Sequence, residues 1–329
     1  MKRPARSIGR LILSVVFLAA WVSAALSQDY PQKPIRMIVG FPPGGGADLI
    51  GRVVADQLSS KLGVTLVVEN IAGAGTSIAV ATAAKAPNDG YTLLFATSSF
   101  AINPNLYKKV NYDPINDFVP IAQVGTSPFA IVVQQSSPLN SVNDLLTTAR
   151  GQPGALRYSS GGNGSVGHLA GEVFKSMAKV DIQHIPYKGL ASALGGLLGG
   201  QVELTMSDLA SSLGYVRNGR LKILGVTTKD RVSWLPNVPS IAESGVPGYE
   251  VVLWNALFLP RGAPKHVVDR LHAAAVSIFK TPDKTLTDRF NALGVIPPPI
   301  ESQETFAAFV KSELMFWSKV VKQSGAHVD

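Results

Sequence analysis

Apolar positions along this chain switch repeatedly between strand-like and helix-like spacing. The runs Ile35–Val39, Leu66–Glu69 and Thr92–Ala96 read as buried strands. Between them, helical periodicity predicts one helix from about Asp48 to Leu62, stopped by Gly63, and a small-residue helix from about Ser77 to Lys85, ended by Pro87-Asn88-Asp89-Gly90. The apolar run Ile121–Val124 and Phe129–Val133 is broken around Gly125-Thr126-Ser127-Pro128, which reads as a crossover into a second lobe. That lobe has predicted strands near Arg157–Ser159, Ile182–Ile185, Val202–Met206 and Leu221–Val226, with helices around 141–150, 165–178, 190–198 and 209–218. A proline-rich exit, Trp234-Leu235-Pro236-Asn237-Val238-Pro239 then Val246-Pro247-Gly248-Tyr249, leads to a returning strand, Val251–Leu259, and two closing helices at about 264–280 and 302–323.

Strands alternating with helices predict an α/β protein whose mostly parallel sheets carry helices on both faces. Two crossing segments divide it into a discontinuous first lobe, residues 28–125 and 251–329, and an inserted second lobe, residues 126–250. Such connections permit hinge closure over a ligand.

Two turns carry the candidate chemistry. Phe41-Pro42-Pro43-Gly44-Gly45-Gly46-Ala47-Asp48 joins the first strand to a helix, and Ser159-Ser160-Gly161-Gly162-Asn163-Gly164-Ser165 does the same more than a hundred residues later. Each presents bare backbone N–H groups at a helix N-terminus, where an anion is favoured. One turn in each half suggests two lobes gripping one anionic ligand.

Residues 1–27 combine Lys2, Arg3, Arg6 and Arg10 with the apolar run Leu11–Val22 and a small-residue ending, the pattern of a cleavable signal peptide. The run is about a dozen residues, short of the roughly 20 that span a bilayer. The chain has no cysteine, which closes the lipoprotein route and excludes disulfides, thiolate metal sites and a thiol nucleophile. A soluble protein of a Gram-negative periplasm is expected. The formal net charge of +8 includes the four leader cations and no leader acid, leaving +4 on the mature chain. With no basic stripe interleaved with aromatics, no nucleic-acid partner is expected.

Other motifs yield to simpler readings. Gly162-Asn163-Gly164-Ser165-Val166-Gly167 spells G-x-G-x-x-G, but Asp181 begins the next strand where a dinucleotide site needs an acid at its end. No cofactor is expected. Around Ser165 a nucleophile elbow is spoiled by Asn163, and Ser165 reads more simply as a helix N-cap; a serine hydrolase using Ser165 is the alternative from another class. The five histidines show no paired ligand spacing, so no metal is expected. His168, in the first turn of the second helix, is a candidate for the cleft. Asp48 either caps its helix, orders the Gly44–Gly46 amides or accepts a ligand ammonium; Asp208 at a strand end faces the same choice.

These turns and the motifs around them resemble the extracytoplasmic substrate-binding receptors of the tripartite tricarboxylate transporter family, the Bug-type proteins. The resemblance runs through Tyr30-Pro31, Phe41–Asp48, Val68-Glu69-Asn70, Gly73-Ala74-Gly75, Ala86–Leu94, Ile102-Asn103-Pro104, Tyr112-Asp113-Pro114, Ser160–Ser165, His168–Glu172, Ile185–Gly189, Leu198–Val202, Leu235–Pro239 and Gly248-Tyr249-Glu250. It covers essentially the whole mature chain. It implies a two-lobed periplasmic binding fold of type II-like architecture, a non-enzymatic role, and a small carboxylate held by loop amides, hydroxyls and water, then handed to a membrane permease. The chain departs from the family pattern at Ile71-Ala72, at Ser77 and at Asn255-Ala256.

The expected receptor is a monomer that holds one end of a mono- or dicarboxylate on Gly44, Gly45 and the neighbouring Phe41, Pro43 and Asp48. Gly161, Asn163 and Ser165, with Ser160 and His168 beside them, hold the other end, and Ser98, Ser99, Tyr187 and Asp208 fill the middle. A ligand-sensing subunit of a membrane signalling system would use the same lobes and is a third reading.

Overall fold

Strand β1 (Ile35–Val39) leaves only Arg36 partly exposed, the burial that a parallel strand covered on both faces requires. It lies between β2 (Leu66–Asn70) and β3 (Thr92–Thr97), parallel to both. The computed structural model that shows this describes residues 30–328; the leader, its cleavage point and Asp329 lie outside the described residues.

Helix α1 (Gly46–Leu62) returns across this sheet and stops at Gly63, whose left-handed φ of 73° lets its N–H reach Ser59 O. Helix α2 (Ser77–Ala84) follows β2 through a single 3₁₀ turn. Helix α3 (Ser99–Leu106) has no counterpart among the predicted elements. It contains Pro104, which cannot bond back to Phe100 O; the Tyr112 hydroxyl donates to that carbonyl instead, at 3.4 Å.

The predicted break at Gly125–Pro128 does not exist. Residues Phe118–Gln134 form one 17-residue strand, β4. Up to Pro128 it pairs antiparallel with β9 (Val252–Pro260); from Phe129 on it pairs antiparallel with β7 (Leu204–Asp208) and β8 (Leu221–Val226). Pro128, which has no N–H to donate, falls where the strand exchanges partners, so the proline interrupts no ladder. Beside it, Thr126 and Ile296 exchange two backbone hydrogen bonds of 2.9 and 2.7 Å.

Beyond β7 the sheet continues with β5 (Arg157–Ser160) and β6 (Gln183–Pro186), all parallel. The strand order is β2-β1-β3-β9-β4-β7-β5-β6, with β8 also on β4. Each lobe therefore carries three parallel strands, β2-β1-β3 in one and β7-β5-β6 in the other, and the two sets join through antiparallel crossing strands. Helices α4 (Val142–Gly151), α5 (Val166–Ala178), α6 (Leu190–Leu198) and α7 (Leu209–Arg217) belong to the second lobe. The chain then closes the first lobe with α8 (Lys265–Lys280), α9 (Lys284–Ala292) and α10 (Gln303–Ser324). The short α9 is also absent from the predicted elements; Asp283 starts it by accepting the Leu286 N–H.

The largest cluster of buried aromatics lies under α10. Phe100 stacks on Phe258 at 4.5 Å, and Trp254 meets Phe309 edge-on at 6.2 Å. Both the Trp254 and Trp317 indole N–H groups donate to Glu313 Oε2, at 2.8 and 2.9 Å. Burial pushes that carboxyl above its ordinary range, and the two indoles oppose the shift.

Candidate functional site

The first glycine turn is built from the inside by Asp48. The Gly44 N–H donates to Asp48 Oδ2 at 2.8 Å, Arg52 Nε donates to the same oxygen at 3.0 Å, and Asn70 Nδ2 donates to Asp48 Oδ1 at 2.8 Å and to Phe41 O at 2.9 Å. Burial alone would raise this carboxyl, but Arg52, the Gly44 amide and Asn70 hold it below the usual carboxylate range. Asp48 is 1% exposed, so it orders the turn and is closed to a ligand ammonium. Gly44, at φ 83°, is in the left-handed region that favours glycine. Gly45 caps α1 in extended conformation without a side-chain bond, and the first helical amides, Gly46, Ala47 and Asp48, have no intrahelical acceptor.

That N-terminus opens on a cavity of about 450 Å³ between the lobes. Phe41, Gly46 and Ala47 line one side, and Asp208, Leu209 and Ser211, at the start of α7, line the opposite side. The crossing strands supply the wall between, through Ser127, Pro128 and Phe129 of β4 and Leu253 and Asn255 of β9, together with Thr97 at the end of β3. No Lys or Arg is among the lining residues. The volume suits a small ligand. Asp208 caps α7, its Oδ1 accepting Ser211 N–H at 2.8 Å and its Oδ2 the Ser211 hydroxyl at 2.9 Å, and burial raises its pKa above the ordinary value.

The glycine turn after β5 is not among the residues that line this cavity, and several of its amides are committed. Gly162 N–H donates to Ser160 Oγ at 3.2 Å, Gly164 N–H to His168 Nδ1 at 3.0 Å, and His168 N–H to Ser165 Oγ, the cap of α5, at 3.2 Å. Ser160 Oγ also meets His184 Nε2 at 2.7 Å. His168 stacks on His184 at 4.0 Å, with Tyr158 4.8 Å from the His184 ring. Burial lowers both imidazoles, His184 to about 3. Ser160 is fully buried, out of reach of a substrate, and Ser165 is occupied as a helix cap, so neither serine is arranged for nucleophilic attack.

The remaining expected site residues divide in the same way. Ser98 is fully buried; its hydroxyl donates to Val252 O and accepts from Trp254 N–H, fastening β3 to β9. Ser99 opens α3, its N–H donating to Thr97 Oγ1. The Tyr187 hydroxyl donates to Gln201 Oε1 at 2.9 Å, and its ring covers Gly196. Gly161 packs against the Leu190 amide, and Asn163 is exposed at the tip of its turn. Pro43 and Gly45 are exposed beside the cavity mouth formed by Gly46. Of the expected residues, Phe41 and Asp208 line the cavity.

Thr97, Ser127 and Asn255 line the cavity but lie outside the expected site. The signal that points to Asn255 is its departure from the family pattern after Trp254. Among the described residues no group of His, Asp and Glu could hold a metal ion, and no helix is long and apolar enough to cross a membrane.

Comparison with known proteins gives one consistent result. A protein from the tcbD-tcbE intergenic region of Pseudomonas sp. (strain P51) is 35% identical over 95% of this chain and 93% of its own length. Protein BugT of Bordetella pertussis is 33% identical over 96% of this chain and 97% of its own. Among solved structures, R. palustris Rpa4515 with adipate superposes with a TM-score of 0.78 at 35% identity, covering 91% of this chain and all of the other. MatC (Rpa3494) from Rhodopseudomonas palustris with bound malate gives 0.72 at 27% identity, covering 89% of this chain and all of the other. The family model described as the tripartite tricarboxylate transporter family receptor matches residues 50–326. With its two α/β lobes, its crossing strands and its cleft at a helix N-terminus, the chain belongs to this family of solute receptors, which are not enzymes.

Proposed function

We propose that this protein captures a small carboxylate between its lobes in the periplasm and delivers it to the membrane permease of a tripartite tricarboxylate-type transporter. The observation that carries the reading is the α1 N-terminus, whose unbonded amides at Gly46 and Ala47 line a cavity with no lining Lys or Arg. Relatives holding adipate and malate support it. The moving units are residues 30–125 with 251–328 and residues 126–250, turning about β4 and β9, and the receptor works as a monomer.

The test is calorimetric titration of mono- and dicarboxylates into the mature protein and into Gly45→Val. A Cβ at Gly45 meets only Pro42 O, at 3.6 Å, and the backbone φ of −77° suits any residue. The fold should therefore survive while the valine blocks the amides, with at least a tenfold loss of affinity, about 1.4 kcal/mol. Dipoles rather than a long-range positive field hold the anion, so affinity should depend only weakly on salt. Failure of every carboxylate to bind, or unchanged affinity in Gly45→Val, overturns the reading.

A further inference from the structure

The two faces of the crossing strands are packed differently. On β9, Trp254, Ala256 and Phe258 pack on the α10 side, while Asn255, Leu257 and Leu259 point the other way, Asn255 into the cavity. On the cavity's side of the sheet the lobes keep separate cores. One cluster, which includes Ile50, Leu257 and Phe290, belongs entirely to the first lobe; another, with Leu209, Leu213 and Val226, belongs to the second, and Ile296 of the first lobe packs against it. On the α10 side a single buried cluster runs through both lobes, from Phe100, Trp254 and Trp317 to Val173 and Phe174.

Where that continuous core meets the surface, α5 of the second lobe and α10 of the first leave a crevice of about 340 Å³. Val173 and Val180 line it from one lobe and Val320 from the other. Its ion pair lies within α5, where Lys175 Nζ donates to Glu172 Oε1 at 2.9 Å, and the Ser324 hydroxyl bonds back to Val321 O at 3.0 Å, so these groups do not tie one helix to the other. Val173 and Val320 are both buried. Parting the two helices would return such apolar surface to water, which opposes the movement. The seam and the ligand cavity lie on opposite faces of β4 and β9, so a rotation about those strands that narrows the cavity widens the seam.

We propose that the α5–α10 seam is a counterweight to closure: it is packed in this conformation, parts when the lobes shut on a ligand, and thereby sets how tightly the receptor holds that ligand. This rests on the carboxylate-receptor reading above, with its hinge about β4 and β9. Apparent affinity scales with the fraction of molecules in the binding-competent conformation. Trimming the seam raises that fraction and tightens binding, although none of the seam valines lines the ligand cavity. The sign is opposite to that of ordinary core damage, which leaves affinity unchanged or weakens it.

Calorimetric titration with malate, succinate and adipate compares wild type with Val320→Ala and with Val173→Ala, which trims the seam from the other lobe and decides the matter if Val320→Ala does not fold. Each should bind the same acid about threefold or more tightly than wild type, and its ligand-free radius of gyration in small-angle scattering should shift toward that of the complex. The chain has no cysteine, so Ser176→Cys with Gln323→Cys, one on each side of the crevice, gives a second arm: a short bismaleimide with a disulfide in its spacer reacts only there and holds the seam together. The linked protein should lose at least about tenfold in affinity and regain it when the spacer is reduced. Unchanged or weaker binding in the folded valine variants, or a linked protein that binds as tightly before reduction as after it, overturns the counterweight and leaves the receptor reading intact. A wild-type protein that binds none of the three acids overturns both.

Discussion

Asp48→Asn isolates the charge that organises the first glycine turn. The substitution keeps the side-chain volume, so it opens no cavity, but it replaces one acceptor oxygen by a donor facing Gly44 N–H, Arg52 Nε or Asn70 Nδ2. A hydrogen bond to a charged group contributes about 1.5–3 kcal/mol. The three do not add in full, because the Arg52 side chain is 47% exposed and regains water when its partner is lost. A net cost of roughly 2–4 kcal/mol follows. For about 300 ordered residues the unfolding entropy is on the order of 0.6 kcal/mol/K, so the melting temperature at pH 7 should fall by about 3–6 °C.

The pH dependence supplies a further readout. The folded state holds the Asp48 carboxyl below its unfolded value near 4, so its contribution is complete above that value and is lost as pH falls through the folded one. The gap between wild type and Asp48→Asn should therefore be full at pH 7 and shrink below about pH 4. Differential scanning calorimetry from pH 7 to 3 measures both quantities. Equal melting temperatures at pH 7, or a gap that widens toward pH 3, would refute the assignment of Asp48 as the charged centre of the turn.

Two more outcomes follow from close packing and from the stacked histidines. A methyl group at Gly40 would lie 2.7 Å from Thr76 Cβ, so Gly40→Ala should cost about 1–3 kcal/mol, read as a lower denaturation midpoint; an unchanged midpoint would show that the Thr76 turn yields freely. His184 is held to about 3, so the unfolded chain binds its proton first and wild-type stability should decline as pH falls from about 6.5 toward 3, by up to about 1.4 kcal/mol per unit. His184→Gln should flatten that slope relative to wild type in acid melts, and an identical slope would assign the acid sensitivity to other groups.

Most strands and helices could be read from the sequence because burial on both sheet faces leaves unbroken apolar runs such as Ile35–Val39, and because glycine stops such as Gly63 act locally. The failures share a cause outside the local window. Gly125 and Pro128 resemble a break, yet the strand crosses them because Val295 needs the space at Gly125 and because Pro128 falls where partners change. Pro104 argues against α3 until Tyr112 takes the carbonyl it frees.

The site was legible to a similar degree. The turn after β1 does bring an open helix N-terminus to a cavity. The turn after β5 has an equivalent composition, but His168 Nδ1 and Ser160 Oγ take the amides of Gly164 and Gly162, and only the folded chain shows where those side chains turn. The opposing wall comes instead from α7. Asn255 shows in the sequence only as a departure from the family pattern after Trp254; that its buried Oδ1 has no partner shows only in the folded chain.

Strand β4 also bears on how such receptors can diversify. Because one continuous strand supplies ladder partners to both lobes, neither lobe owns a complete sheet. Exchanging a lobe between two relatives would graft half a strand onto foreign neighbours, with its register shifts mismatched. New ligand preferences are therefore reached more easily by point changes along the cleft than by shuffling whole lobes, and a chimera should fold only when β4 and β9 are transplanted as a pair.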